Sequence, residues 1–337
     1  MQVNDPPPEL TTELVAAILG RHDVASITVA PSGQERALLS TVDTLTITLV
    51  DGTVIDAVAK RAAADRQGAA TIAASGAYRR ELDLYAGFLA TAPLPVAPLL
   101  GIHEPDAALT GSGWVLLLGR VVGPEPDQVA GLSEAEATRV LDQLITLHRT
   151  TRNRPPPSGA RCHPIIGLPE RLREVWPLFE TGFGATLTLS SLDRIRRVVD
   201  RAEHLSEALG SSEQAALTHA DPRADNLILG ADVVLLDWQQ ATWQHPAADL
   251  AWLIATSIEE PDRALIDRMA RHHLSGLGLD DQDSMDWFRH GLSWPLLQFT
   301  LLAARPAKAG RRRRLVDTTV RRIAGVADLV NYDADTR

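Results

Sequence analysis

Cysteine is nearly absent. Cys162 is the only one among 337 residues, so no intrachain disulfide can form and no cluster of thiolates can hold a metal within one chain. No activating motif surrounds it, and the expected state is a packed or idle thiol rather than a nucleophile. Long apolar runs are missing too: nothing approaches the ~18 residues that a membrane-crossing helix needs. The start, Met1-Gln2-Val3-Asn4-Asp5 ahead of Pro6-Pro7-Pro8, has neither the basic end nor the apolar stretch of a secretory leader. A cytoplasmic protein without a membrane partner is expected. Positive charge is not in surplus either, since the formal net charge is -10, which argues against a nucleic-acid partner.

What is present is an ordinary globular composition, 45% hydrophobic and 23% charged, enough for a sizeable core. The length suits a two-lobed body with an interlobe cleft. Glu9 to Gly20 has apolar residues at helical spacing. Thr44 to Val50 then alternates Leu45, Ile47 and Leu49 with threonines, Asp51-Gly52 turns the chain, and Val54, Ile55 and Val58 lead to Lys60. A hairpin is expected there, and a two-residue loop would pair Val50 with Thr53 and put Val54, Asp56, Val58 and Lys60 on the face of Leu45, Ile47 and Leu49. A lysine ending an apolar strand face needs an acidic partner or solvent. Glu81 is the candidate, on a helix expected over Gly68 to Leu89 that puts Glu81, Leu84, Tyr85 and Phe88 on one side.

Trp114 to Leu118 reads as a strand closing the first half, and the boundary between halves is placed at Gly119 to Pro124. Beyond it helices dominate. Ser133 and Glu136 have capping-box spacing at the head of a helix running to Arg152, and further helices are expected over about 169–180 and 190–209. The exception is Ala216 to Asp237, a loop followed by two short apolar runs, Asn226 to Leu229 and Val233 to Leu236, with a turn at Gly230-Ala231-Asp232.

That exception carries the chemistry. His219-Ala220-Asp221-Pro222-Arg223-Ala224-Asp225-Asn226 is followed by Val233-Val234-Leu235-Leu236-Asp237. Phosphoryl transfer asks for one carboxylate to orient or deprotonate an acceptor hydroxyl, and for hard oxygen ligands for Mg²⁺ bridging the nucleotide phosphates. Asp221 suits the first role, Asn226 and Asp237 the second. His219 reads as a buried brace for the loop more than as a base, because Asp221 already fills that role. Arg223 and Asp225 could touch phosphate or substrate, or simply brace the loop.

These residues resemble the catalytic core of the aminoglycoside phosphotransferase-like kinases, relatives of protein kinases, whose pattern is H-x-D-x-x-x-x-N and then an apolar strand ending in a metal-binding Asp. Asp237-Trp238-Gln239 followed by His245-Pro246-Ala247-Ala248-Asp249-Leu250-Ala251-Trp252 is similar to the ecdysteroid-kinase-like and choline-kinase-like branch. The likeness covers nearly the whole chain from about residue 40, including Leu147-His148 and the segment Met269 to Leu301. It implies an α+β, protein-kinase-like fold: residues 1–118 as an antiparallel-sheet, nucleotide-binding lobe with one main helix, and 119–337 as a mainly helical lobe with the catalytic loop and substrate pocket. It further implies ATP and Mg²⁺ as cofactors, a small hydroxylated molecule as substrate, Lys60 on the nucleotide α/β-phosphates with Glu81 as its partner, and Asp249 as a structural brace for the catalytic loop.

There are departures from the family. No G-x-G-x-x-G occurs in the first strands, where Pro31-Ser32-Gly33-Gln34-Glu35-Arg36 takes the place of a phosphate-covering loop. Ala220 replaces the usual glycine, and Gly119 the acidic residue that often follows the hinge strand. Neither replacement removes a catalytic group. The alternative in another class is a nucleotide-binding pseudokinase acting through partner contacts, although such proteins typically lose the base or a metal ligand and both are present here. The run Arg311 to Arg314 with Arg321-Arg322 reads as the solvated face of a helix. Asp280, Asp281, Asp283 and Asp286, with Glu259 and Glu260, read as soluble surface or as the lining of a pocket for a cation.

Overall fold

In the computed structural model, which describes residues 9–31, 40–62, 75–104, 113–163, 165–279, 282–303 and 311–334, the chain forms two compact units. The first comprises Met1–Gly123 together with Pro157–Gly159 and Leu236–Gln239, and the second the remainder.

The first unit opens with helix α1 (Thr12–Leu19). Thr11 caps it by accepting from Leu14 N, and Gly20 ends it at φ 63°, a left-handed geometry that glycine adopts without steric cost. Five strands follow: β1 (Val24–Pro31), β2 (Ser40–Leu49), β3 (Val54–Ala62), β4 (Leu99–His103) and β5 (Val115–Gly119), in sheet order β1-β2-β3-β5-β4. All neighbours are antiparallel. Between β3 and β4 lies helix α2 (Ala77–Ala86), followed by a 3-10 turn at Phe88–Thr91. The helix therefore stops before Leu89, at Gly87, and Phe88 is only half-buried; residues 68–74 of the expected helix lie outside the described residues.

The hairpin forms where the Asp51-Gly52 signal puts it, but its register differs from the expected one. Thr48 pairs with Val54 and Ile47 with Ile55, because the loop holds three residues, Val50, Asp51 and Gly52, with Gly52 at φ 82° and Leu49 N bonded to the Thr53 carbonyl at 2.8 Å. That loop length shifts the partner strand by one residue and so exchanges its faces. Leu45, Ile47 and Leu49 share a core with Ala57, Ala59, Val115, Leu117 and Val15 of α1. Lys60, one residue past Ala59, instead pairs with Val42 and Leu116 on the opposite face, where α2 supplies Glu81.

The second unit begins with α3 (Glu134–Thr151), whose capping box is complete: Ser133 accepts from Glu136 N, and the Glu136 carboxylate accepts from Ser133 N. Next come α4 (Leu168–Phe183), α5 (Leu189–Asp200) and α6 (Ala202–Gly210), the last two separated at Arg201. A small sheet, ordered β6 (Arg161–Cys162), β10 (Thr242–Gln244), β7 (Ala216–Thr218), and an antiparallel hairpin of β8 (Leu227–Leu229) and β9 (Val233–Leu235) border the loop of residues 219–226. Helix α7 (Ala247–Ser257) is buried on every side, as a helix apolar all round must be. It is packed by α9 (Ser284–Ala303), with α8 (Arg263–Gly276) and α10 (Arg311–Leu329) around it. Among the described residues no helix is long and apolar enough to cross a membrane.

One surface expectation needs correction. Arg322 is buried and donates to the carbonyls of Gln128, Thr256 and Val129, whereas Arg321 and Arg313 keep to the exposed side of α10. Asp283 accepts from Met285 N and Asp286 N at the head of α9, and Asp286 pairs with Arg289, so these carboxylates already have structural work. Asp280 and Asp281 lie outside the described residues, as does the segment 32–36 assigned to the phosphate-covering loop.

Candidate active site

The expected site residues fall into two groups. In the first unit, β3 presents Lys60 to α2 and to the segment after β9. Lys60 Nζ lies 2.6 Å from Glu81 Oε2 and 2.6 Å from Asp237 Oδ1. Burial opposes the ammonium charge, but the Asp237 and Glu81 carboxylates outweigh it and hold the Lys60 pKa above its usual value. Burial likewise pushes the Glu81 carboxyl up, against the pull of Lys60. Asp237 sits at φ 65°, a left-handed conformation that aspartate tolerates better than most residues and that recurs at functional sites. Its Oδ2 accepts from Gln239 Nε2 at 3.0 Å. The Gln239 carbonyl accepts from Arg80, whose pKa burial lowers to about 10.

In the second unit the loop that carries His219, Asp221 and Asn226 leaves β7 at Thr218 and reaches β8 through a 3-10 turn, Ala224–Asn226. Ala220 stands at φ 66°, where a side chain costs about 1 kcal/mol, and its neighbours fix it there. Its N–H donates to Asp249 Oδ1 at 2.7 Å, and its carbonyl accepts the Trp294 indole N–H at 2.9 Å. Asp249, fully buried in the first turn of α7, also accepts from His219 N at 2.8 Å through Oδ2. The brace expected of Asp249 is therefore present. Asp221 N donates to His219 Nδ1 at 3.4 Å, which ties the buried imidazole to the loop backbone.

Asn226 aims its side-chain nitrogen at Asp221, 2.9 Å from the carbonyl and 3.1 Å from Oδ2. Arg223 Nε lies 3.6 Å from Asp221 Oδ1. The far end of the loop is pinned by Ala224 N donating to Ser257 Oγ at 3.0 Å and by Asp225 N facing Gln128 Oε1 at 3.4 Å. Thus the structure joins His219, Asp221 and Asn226 in one loop, and Lys60, Glu81 and Asp237 in one ion cluster.

Residues 35–288 match the model of the APH phosphotransferase enzyme family. The chain belongs to that family. It is an enzyme, a phosphotransferase, and its α+β fold is of the protein-kinase-like type, with an antiparallel sheet in the first unit and a mainly helical second unit. Among solved structures this phosphotransferase is similar to the microcompartment-associated aminopropanol kinase, with a TM-score of 0.60 and 16% identity over 95% of this chain and 96% of that one. It is similar also to choline kinase from Cryptosporidium parvum Iowa II, at 0.56 and 11% over 90% of each chain. Spectinomycin phosphotransferase APH(9)-Ia, in complex with ADP and spectinomycin, gives 0.54 and 14% over 96% and 99%. At such identities the likeness is one of fold. No curated protein matches the chain.

Several residues that hold the loop are not marked by the motif: Trp294, Gln128 and Ser257. Their partners are distant in sequence, so no local spacing points to them. Asp237-Trp238-Gln239 contains the one accessible signal, an amide two residues after the carboxylate it supports.

Proposed function

We propose that this phosphotransferase moves the γ-phosphoryl group of ATP, with Mg²⁺, directly onto an alcohol oxygen of a small hydroxylated molecule. The reading is carried above all by the Asp221 carboxylate, held on a braced loop and hydrogen-bonded to Asn226. Asp221 orients the acceptor hydroxyl and takes its proton late. The acceptor oxygen bonds to the γ-phosphorus, the bond from that phosphorus to the bridging oxygen breaks, and ADP leaves with the electron pair. Lys60, steadied by Glu81, neutralises charge on the α/β-phosphates.

Asn226 and Asp237 suit a hard cation. Both bonds of the Asn226 side-chain nitrogen go to Asp221, which leaves Oδ1 as the amide's remaining donor to a metal, and Asp237 adds a carboxylate at a left-handed turn. One amide oxygen and one carboxylate suit an ion that takes its other ligands from phosphates and water. Bound there, Mg²⁺ would neutralise charge developing on the β- and γ-oxygens. ADP in the spectinomycin phosphotransferase complex and the small amino alcohols named for the choline and aminopropanol kinases support a nucleotide donor and a small hydroxylated acceptor.

The test is incubation of wild type and Asp221→Asn with Mg²⁺, ATP or GTP, and a library of hydroxylated compounds, read by mass spectrometry for addition of one phosphate. Wild type should modify at least one compound, and the variant should be slower by about a hundredfold or more. Equal rates would remove Asp221 from the mechanism, and nucleotide binding without turnover on any compound would favour the pseudokinase alternative.

A further inference from the structure

Asp249 receives a further hydrogen bond, and it comes from away from the loop. His148 Nε2 on α3 lies 3.0 Å from Asp249 Oδ2. The other nitrogen of His148, Nδ1, lies 3.1 Å from His273 Nε2 on α8, and His273 Nδ1 accepts the indole N–H of Trp287 on α9 at 3.0 Å. His148, His273 and Asp249 are fully buried and Trp287 nearly so.

Donor chemistry sets the direction of this chain. An indole nitrogen can only donate, so His273 Nδ1 is the acceptor. Burial, then the neighbouring His148 and His272, hold the His273 pKa well below its usual value, which leaves a neutral ring with its proton on Nε2. That proton is donated to His148 Nδ1, so His148 carries its own proton on Nε2 and donates it to Asp249. Every link then points toward the carboxylate: Trp287 donates to His273, His273 to His148 and His148 to Asp249, and from the loop the amides of His219 and Ala220 donate to the same carboxylate.

We propose that His273 and Trp287 are positioning residues for catalysis, holding Asp249, and through it the strained Ala220 beside Asp221, by a one-way chain of two neutral imidazoles. The proposal rests on the reading of Asp221 as the residue that meets the acceptor hydroxyl. Ala220 stays left-handed only while its N–H and carbonyl are both engaged, and its N–H bond depends on the rotation of the Asp249 carboxylate. His148 fixes that rotation through Oδ2, the oxygen that also accepts from His219 N. If His273 supplies no proton, His148 can move its own to Nδ1 and cease to donate to Asp249, and the brace loses its anchor without losing a packed residue.

The experiment compares His273→Phe, His273→Gln and Trp287→Phe with wild type. Glutamine can accept from Trp287 through its oxygen and donate to His148 through its nitrogen; phenylalanine can do neither. With His273→Phe, kcat should fall about ten- to a hundredfold while KM for ATP stays within about twofold, as expected when a catalytic group is misplaced and nucleotide contacts are kept. His273→Gln should recover most of kcat. Equal kcat in the two folded variants would overturn the proposal. Should His273→Phe fail to fold, Trp287→Phe carries the test, since it removes the donor that fixes the His273 tautomer.

A second measurement does not depend on turnover. Side-chain ¹⁵N spectra should show both imidazoles protonated at Nε2, and hydrogen exchange at the His219 and Ala220 amides should quicken in His273→Phe but not in His273→Gln. An Nδ1-protonated His273 or His148, or unchanged exchange, would overturn the chain. If exchange responds as expected but wild type phosphorylates nothing, the relay stands and the reading of Asp221 fails.

Discussion

Lys60 and Asp237, 177 residues apart in sequence, meet with Nζ 2.6 Å from Oδ1, and Glu81 closes on the same ammonium from α2. One cation therefore serves two carboxylates, and Glu81 is almost wholly out of water. Removing one member of a buried ion pair costs more than the pair contributes, because the partner is left charged and unsolvated. Lys60→Met should destabilise the protein by about 3 kcal/mol and abolish measurable turnover. The double variant Lys60→Met/Glu81→Gln should recover part of the stability and none of the activity. Urea unfolding of the variants checks this; a double variant no more stable than the single would show that Glu81 is not the stranded charge.

Acid should weaken the fold through His163. Its Nε2 faces Gln244 Oε1 at 2.8 Å and its Nδ1 faces Ser206 Oγ at 2.7 Å. Burial, reinforced by Arg161 and resisted by the Gln244 bond, lowers its pKa from 6.5 to about 4. Above pH 6.5 neither the folded nor the unfolded chain protonates it appreciably. As pH falls, the unfolded chain takes up a proton that the folded chain refuses, so stability drops between pH 6.5 and 4, by about 3 kcal/mol in total. His163→Asn should lower stability at neutral pH but flatten this slope. Parallel pH curves for wild type and variant would mean that His163 is not the titrating group.

How much of this was legible in the sequence varies with the range of the interaction. The capping box at Ser133 and Glu136, the Asp51-Gly52 hairpin and the β8–β9 hairpin are local, and each forms from residues a few positions apart. The hairpin register was not legible, because Asp-Gly suits both a two-residue loop and a three-residue loop with a left-handed glycine, and that single residue decides which face Lys60 occupies. β1 (Val24–Pro31) carries alternation too weak to announce it beside the helix before it. His219, Asp221, Asn226 and Asp237 are readable because they stand in the order that the motif of the resembling family has along the chain. Trp294, Gln128 and Ser257 are not, because what they contribute is a single bond to a backbone group far away in sequence.

Arg322 shows the same limit and yields a prediction. Within a run that reads as solvated, it alone turns inward to bond the carbonyls of Gln128, Val129 and Thr256 among the described arginines of α10. Gln128 in turn donates to the Thr256 carbonyl at 2.6 Å and faces Asp225 N at 3.4 Å. Arg322→Met keeps the apolar stem but leaves those carbonyls short of donors, at a cost of about 3 kcal/mol, and should loosen the far end of the catalytic loop. Arg321→Met, next to it and exposed, should change stability by no more than about 0.5 kcal/mol. Thermal melts of the pair decide the matter, and equal losses would mean that the buried bonds contribute nothing.

Helix α9 comes close to α7 at Gly291, where an added Cβ would overlap the Ala247 carbonyl group and the Ala248 nitrogen. That backbone is the start of the helix bearing Asp249, so the absence of a side chain at 291 lets α9 bring Trp287 and Trp294 to their partners His273 and Ala220. In an exposed helix, Gly→Ala would stabilise by up to about 1 kcal/mol. Here the methyl group meets backbone, which cannot rotate aside, and the helices must separate. Gly291→Ala should therefore destabilise by about 2–3 kcal/mol and lower kcat more than it raises KM for ATP, because the displaced contacts hold the catalytic loop. Gly325→Ala on α10, where a Cβ would meet nothing within 4 Å, is the control and should be neutral or stabilising. If both variants melt together above wild type, the close approach of α9 and α7 does not constrain this fold.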